Sequence, residues 1–240
     1  MSVQFRRHVV NKKKALLTTT LAALLATTLA TPAMAAFVLN GTRYIYEEGK
    51  KNLSLEVTNN AKDTYGGQVW IDNISQNPSD VFMVPSPPVF KVDAGKKQII
   101  RLMNVNPALP TDRESMFRIN AQELPPKPKQ TEGSVLAIAM NTQVKLIYRP
   151  KALTEGRKDA EKKLTTLNKG TTWLKNPTPY YFAVTGLKVN GKSIPIPGDK
   201  QPGLAMLAPF SEADTGLKLS GKVTVEAIND WGGAQDYATE

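Results

Sequence analysis

The stretch from Gly133 to Pro150, GSVLAIAMNTQVKLIYRP, constrains the fold more than any other. Its first half alternates. In an extended chain Leu136, Ile138 and Met140 fall on one side, and Ala137, Ala139 and Asn141 on the other. One face is large and apolar and the other is small. No Gly or Pro interrupts the run, and no charge occurs before Lys145. A long, uncharged, apolar strand is safe in the middle of a sheet. At a sheet edge it needs a partner to cover it. The residues alone leave two readings open. Leu136, Ile138 and Met140 fill the chain's own core, the commoner fate of an apolar face, or they are offered to another chain. If they face a partner, the small face, Ala137 and Ala139, is expected to pack on the chain's own sheet.

The rest of the sequence supplies partners for such a strand. Strand-sized runs are predicted at Thr42–Tyr46, Asn52–Asn59, Gln68–Asn73, Val89–Val92, Gln98–Met103 and Met116–Gln122. In NLSLEVTN the alternation is clean, with Leu53, Leu55 and Val57 inward. Pro85, Pro87 and Pro88 break the pattern, and an X-Pro bond there is the one place to look for a cis peptide. The second half carries runs at Lys163–Leu167, Thr171–Lys175, Phe182–Val189, Ala205–Ala208, Leu217–Leu219 and Val223–Ile228, with Asn190-Gly191 as a hairpin turn. Short strands with a turn about every eight to twelve residues, and almost no helical periodicity, predict an all-β sandwich. A polar, charged stretch from Lys151 to Lys163 separates two strand-rich halves, so the boundary is placed near residue 153.

The N-terminus reads differently. Arg6, Arg7, Lys12, Lys13 and Lys14 form a basic head, Ala15 to Ala30 is rich in Leu and Ala, and Ala33-Met34-Ala35 gives a cleavage site before Ala36. That is a secretory signal peptide. The run is too short and too rich in threonine for a membrane anchor. Residues 1–35 are thus excluded from the fold, leaving 36–152 and 153–240 as the two domains. The head holds five of the 31 Lys and Arg residues and none of the 21 acids, so the charge falls from +10 to +5 on export. No compact basic run remains, and no nucleic-acid footprint.

The side-chain inventory narrows the chemistry. There is no cysteine, and His8, the one histidine, leaves with the signal peptide. The exported chain therefore lacks a Ser-His-Asp set, a Cys-His pair and a histidine metal cluster. No carboxylate pair stands out for acid–base work, and nothing resembles a phosphate loop. The expectation is a chain with no cofactor, no metal and no enzymatic activity.

Four segments then converge: DRES at Asp112–Ser115, KLIYRP at Lys145–Pro150, NPTPYY at Asn176–Tyr181 and INDWGG at Ile228–Gly233. With Thr42-Arg43 in the first predicted strand, they resemble the periplasmic pilus chaperones of the chaperone–usher pathway, PapD-like proteins of two immunoglobulin-like domains with a cleft between them. The resemblance spans essentially the whole exported chain. The brief loop before the alternating strand and the missing cysteine pair resemble the short-loop branch. The resemblance implies that Leu136, Ile138 and Met140 form a donor strand lent to a pilin subunit that lacks its own last strand. It implies that Arg43 and Lys145 grip the C-terminal carboxylate of that pilin, and that Glu114, Arg149 and Asp230 form an interdomain salt-bridge network. It further implies pilin subunits and an outer-membrane usher as partners, location in the periplasm without membrane insertion, and room for a weak self-capping dimer. One departure stands out: the sequence stops at AQDYATE soon after INDWGG, so the last strand is expected to be short or absent. The rival readings are a pilus subunit or adhesin, which would ordinarily be single-domain with a cysteine pair, and a periplasmic β-sandwich enzyme.

Overall fold

The computed structural model describes residues 35–127 and 138–239. The expected signal peptide, residues 1–35, lies outside them but for Ala35. Among the described residues the first half folds as nine strands: β1 (Phe37–Leu39), β2 (Arg43–Glu47), β3 (Leu53–Asn59), β4 (Tyr65–Asn73), β5 (Met83–Ser86), β6 (Val89–Val92), β7 (Lys97–Asn104), β8 (Ser115–Leu124) and β9 (Asn141–Arg149). They form a four-stranded sheet, β1-β3-β7-β5, and a five-stranded sheet, β2-β9-β8-β4-β6. Period-two patterning sets which faces meet. Leu55 and Val57 of β3 and Ile100 and Leu102 of β7 are buried from one sheet. Phe117, Ile119 and Ala121 of β8 and Leu146 and Tyr148 of β9 are buried from the other. The core lies between the two sheets, as in a β-sandwich. Gly67 on β4 is required there. A Cβ at that position would come within 2.4–2.7 Å of the Phe90 and Phe37 rings.

The prolines expected to break the pattern instead mark an edge. Pro85 lies in β5, the outermost strand of its sheet, where a missing N–H costs no ladder bond. The Ser86–Pro87 bond is cis.

The second half folds as β10 (Thr165–Asn168), β11 (Thr172–Lys175), β12 (Val184–Val189), β13 (Lys192–Ile194), a single helical turn α1 (Gln201–Ala205), β14 (Glu212–Leu217), β15 (Val223–Ile228) and β16 (Ala234–Ala238). Its sheets run β10-β11-β14 and β13-β12-β15-β16 around a separate core that includes Leu174, Phe182, Leu187, Leu204 and Val225. Asn190 and Gly191 both have positive φ, 50° and 80°, as a type I′ hairpin turn demands.

Three expectations are corrected here. Ala205–Ala208 is not a strand: Pro202 starts a helical turn, and only Leu207 bridges to Phe182. The strand expected at Leu217–Leu219 lies earlier, at β14. The final strand is neither absent nor marginal. β16 pairs with β15 from Thr224↔Ala238 to Ile228↔Ala234, and Tyr237 is buried in the core.

The charged stretch after β9 also differs from a solvated linker. It winds through three 3-10 turns, Lys151–Leu153, Glu155–Arg157 and Ala160–Lys163, and buries Arg157, Ala160 and Glu161. A third, small apolar cluster of Met116, Ile147 and Tyr181 bridges the two sandwiches, flanked by Ile45, Met206 and Ala208.

Candidate functional site

The site begins with the pairing of β9. On one side β8 runs antiparallel to it from Asn141 to Tyr148. On the other, β2 runs parallel to it, but only from Arg43↔Lys145 to Glu47↔Arg149. Upstream of Lys145, residues 141–144 therefore present a free strand edge among the described residues. Residues 138–140 extend this edge without regular pairing, held to β8 by the Glu123 N–H donating to the Met140 carbonyl at 2.9 Å. Ile138 is 66% exposed and Met140 48%. Leu136 and Ala137 lie outside the described residues. Ala139 is exposed too, contrary to the expectation that the small face packs on the sheet. The regular β8–β9 register ends at Gln122↔Asn141, so Ala139 lies outside it.

The two cations expected to act together do stand together, level with each other where the free edge ends. Each is held by a carbonyl of the second sandwich. Arg43 Nη1 donates to the Ile228 carbonyl at 2.8 Å, and Lys145 Nζ to the Ala205 carbonyl at 2.5 Å. Neither forms an ion pair among the described residues. Burial, then the neighbouring Arg43, pulls the Lys145 ammonium from 10.5 down to about 8. Burial also lowers Arg43, against the pull of Asp230. The arrangement is two half-buried cations on neutral carbonyl acceptors, without an ion-paired carboxylate among the described residues.

Behind it, Arg149 spans two carboxylates. Its Nε donates to Glu114 Oε1 at 2.7 Å, and its Nη1 and Nη2 donate to Asp230 at 2.7 and 3.1 Å. Glu114 Oε2 accepts the Tyr181 N–H at 2.7 Å, and the Glu114 N–H donates to the Pro179 carbonyl at 2.9 Å. The NPTPYY segment of the second sandwich is thereby tied to β8. Burial alone would raise Asp230, but bonds from Arg149 and the charge of Arg157 hold it below the usual carboxylate range. Glu114 and Arg149 come from the first half and Asp230 from the second, so the triad crosses between the sandwiches.

Sequence reasoning missed two members of this group. Arg157 binds Glu161 through both terminal nitrogens, at 2.9 and 2.7 Å, and approaches Asp230 at 3.4 Å. Its guanidinium lies 5.7 Å from the Tyr180 ring and 5.4 Å from the Phe182 ring. The available signal was the i,i+4 spacing of opposite charges within the polar stretch between the two halves.

Residues 36–154 match the family described as "Pili and flagellar-assembly chaperone, PapD N-terminal domain", and residues 159–239 match "Pili assembly chaperone PapD, C-terminal domain". The chain is 50% identical over 210 residues to the chaperone protein FanE of Escherichia coli, covering 87% of this chain and 92% of FanE. Among solved structures, the periplasmic chaperone SfaE is similar with a TM-score of 0.68 and 32% identity, over 85% of this chain and 98% of that one. A chain of the Salmonella enterica SafA pilin–SafB chaperone complex is similar with a TM-score of 0.73 and 26% identity, over 87% and 97%.

Proposed function

The chain belongs to the PapD-like family of pilus-assembly chaperones, and from that premise we propose that it captures pilin subunits in the periplasm by lending them the edge of β9. The observation that carries this reading is the step in the five-stranded sheet. β2 occupies one side of β9 from Lys145 onward and leaves it free before. A strand added to the free part, running parallel to β9 as β2 does, would end where β2 begins, facing Arg43 and Lys145. A C-terminal carboxylate is the one charge every captured chain must carry there. Gripping it fixes the register, which a period-two pattern alone leaves open to slips.

The driving force is burial of the donor side chains. Ile138 and Met140, exposed in the free chain, contribute about 1.5–3 kcal/mol each before ordering costs, and Leu136 is assigned the same role. Main-chain hydrogen bonds along the added strand supply the rest of the affinity. No nucleotide is involved. Release needs a competing strand, from the next pilin at an outer-membrane usher. Glu114, Arg149 and Asp230 hold the angle of the cleft. The absence of a cysteine pair supports the short-loop branch, the N-terminal pattern supports export with cleavage before Ala36, and the linker near residue 153 is the domain boundary. A free donor edge also supports weak self-capping dimers.

The test is capture of a pilin by purified chaperone, with Arg43→Ala beside wild type and with one residue added to the C-terminus of the pilin. Losing a charge-assisted contact in a desolvated cleft costs about 2–5 kcal/mol, so both changes should largely abolish capture while the variant's melting curve stays intact. Normal capture in both would refute the anchor.

A further inference from the structure

The cation row does not stop at Lys145. Arg43 on β2 is level with Lys145 on β9, Lys145 with Arg118 on β8, and Arg118 with Asp72 on β4. Directly opposed residues on neighbouring strands share a sheet face, and like charges so placed are destabilising. Three cations stand side by side here, with one carboxylate at the far end. Asp72 is already engaged, since its Oδ2 accepts from Asn120 Nδ2 at 2.8 Å. Arg118 has no ion pair among the described residues.

Arg118 and Lys145 also share a pocket of about 180 Å³. Gln143 completes its polar side, and Ile74, Met116 and Met206 supply apolar walls. Apolar walls exclude water and strengthen a charge interaction inside them. The pocket lies on the β8 side of Lys145, away from Arg43. A carboxylate held between Arg43 and Lys145 therefore leaves it open.

Charge balance points to what fills it. The row carries three positive charges and Asp72. A terminal carboxylate held between Arg43 and Lys145 does not reach Arg118, which is level with Asp72 but forms no ion pair with it among the described residues. A strand added along the free edge of β9 would place a side chain beside Gln143 on this same face. Two strand spacings, roughly 10 Å, separate that strand from β8, a span that an arginine and a glutamate can close together over β9.

We propose, resting on the reading that the cleft captures the C-terminus of a pilin, that this pocket is a second subsite taking an acidic side chain from the last few residues of the captured chain, with Arg118 selecting it. Arg118 is thus a specificity residue distinct from the carboxylate grip.

The experiment uses the exported chaperone and short synthetic peptides of alternating apolar sequence. Each peptide ends in a free carboxylate and carries Glu, or Gln, at one of its last few positions in turn. At one position the Glu peptide should bind about tenfold tighter than its Gln twin. Arg118→Gln should erase that preference while binding the Gln peptide as wild type does, and Arg118→Lys should retain part of it. An unchanged Glu-to-Gln ratio in Arg118→Gln, or an equal loss for both peptides, would overturn the assignment. If Arg118→Gln fails to fold, the wild-type scan still decides, because no preferred Glu position means no subsite. Amidated peptides separate this from the underlying reading. Equal binding of acid and amide would remove the grip and the subsite with it. A preserved acid-over-amide preference with a flat Glu scan would remove the subsite alone.

Discussion

Lys145 is the group whose protonation a captured carboxylate should change most. Burial, and Arg43 level with it on the next strand, hold its ammonium at about 8 rather than 10.5. A carboxylate placed between the two cations opposes both causes and raises the value again. Capture therefore takes up protons. With a free value of about 8 and a bound value raised well above it, about half a proton is taken up at pH 8, less below that pH and more above it. Affinity should hold up to about pH 8 and then fall about tenfold per pH unit. Arg43 stays charged throughout that range. Fold stability moves the other way. Between about 8 and 10.5 the unfolded chain binds more protons at this lysine than the folded one, so this group's contribution to stability rises with pH. That opposition separates the effect from alkaline unfolding. Titration calorimetry with an acid-terminated peptide, repeated in buffers of different ionisation enthalpy, counts the protons directly. Lys145→Met should bind more weakly, and at peptide concentrations that restore binding its heats should not depend on the buffer. Buffer-independent heats at pH 8–9, or a flat affinity up to pH 9, would refute the reasoning.

Asp230→Asn should destabilise the fold by about 2–3 kcal/mol, less than the cost of stripping a buried ion of every partner, because Arg149 keeps Glu114 and Arg157 keeps Glu161. Denaturant melts read the loss, small-angle scattering should show a looser interdomain angle, and a change under about 0.5 kcal/mol would make the network incidental. Ile138→Glu should remain soluble and melt within a few degrees of wild type, since the side chain is already 66% exposed, yet no longer hold pilins. A collapsed melting curve would return this face to the core. Intact-mass measurement of the exported protein should place its N-terminus at Ala36, and retention of Met1 would exclude the leader.

Strand positions were legible wherever one residue in two was apolar and the flanks carried turn residues. Asn52–Asn59 and Val223–Ile228 are of this kind, and they became β3 and β15 with Leu55, Val57 and Val225 fully buried. Legibility failed where tertiary context outweighed pattern. β1 and β13 are three residues long, too short for a period to register. β5 contains proline, and only its edge position makes that acceptable. β16 reads AQDYA, and its one deep contact is Tyr237. Ala205–Ala208 has strand-like composition, but Pro202 three residues earlier commits the backbone to a helical turn.

The site divides along a different line. The charges that the family resemblance singled out, Arg43, Lys145, Glu114, Arg149 and Asp230, lie where two halves of the chain meet. What no local pattern encodes is who holds them. The carbonyls that receive Arg43 and Lys145 belong to Ile228 and Ala205, 185 and 60 residues away. Ile228 ends β15 two residues before Asp230, and Asp230 is clamped by Arg149 and approached by Arg157. The tether of the first cation and the salt-bridge network therefore share one short segment. A rotation between the sandwiches that stretched Arg149–Asp230 would also draw the Ile228 carbonyl from Arg43. In the proposed reading, the grip on a carboxylate and the angle of the cleft are thus coupled through residues 228–230. Weakening the network should loosen capture even when every residue that faces the captured chain is intact.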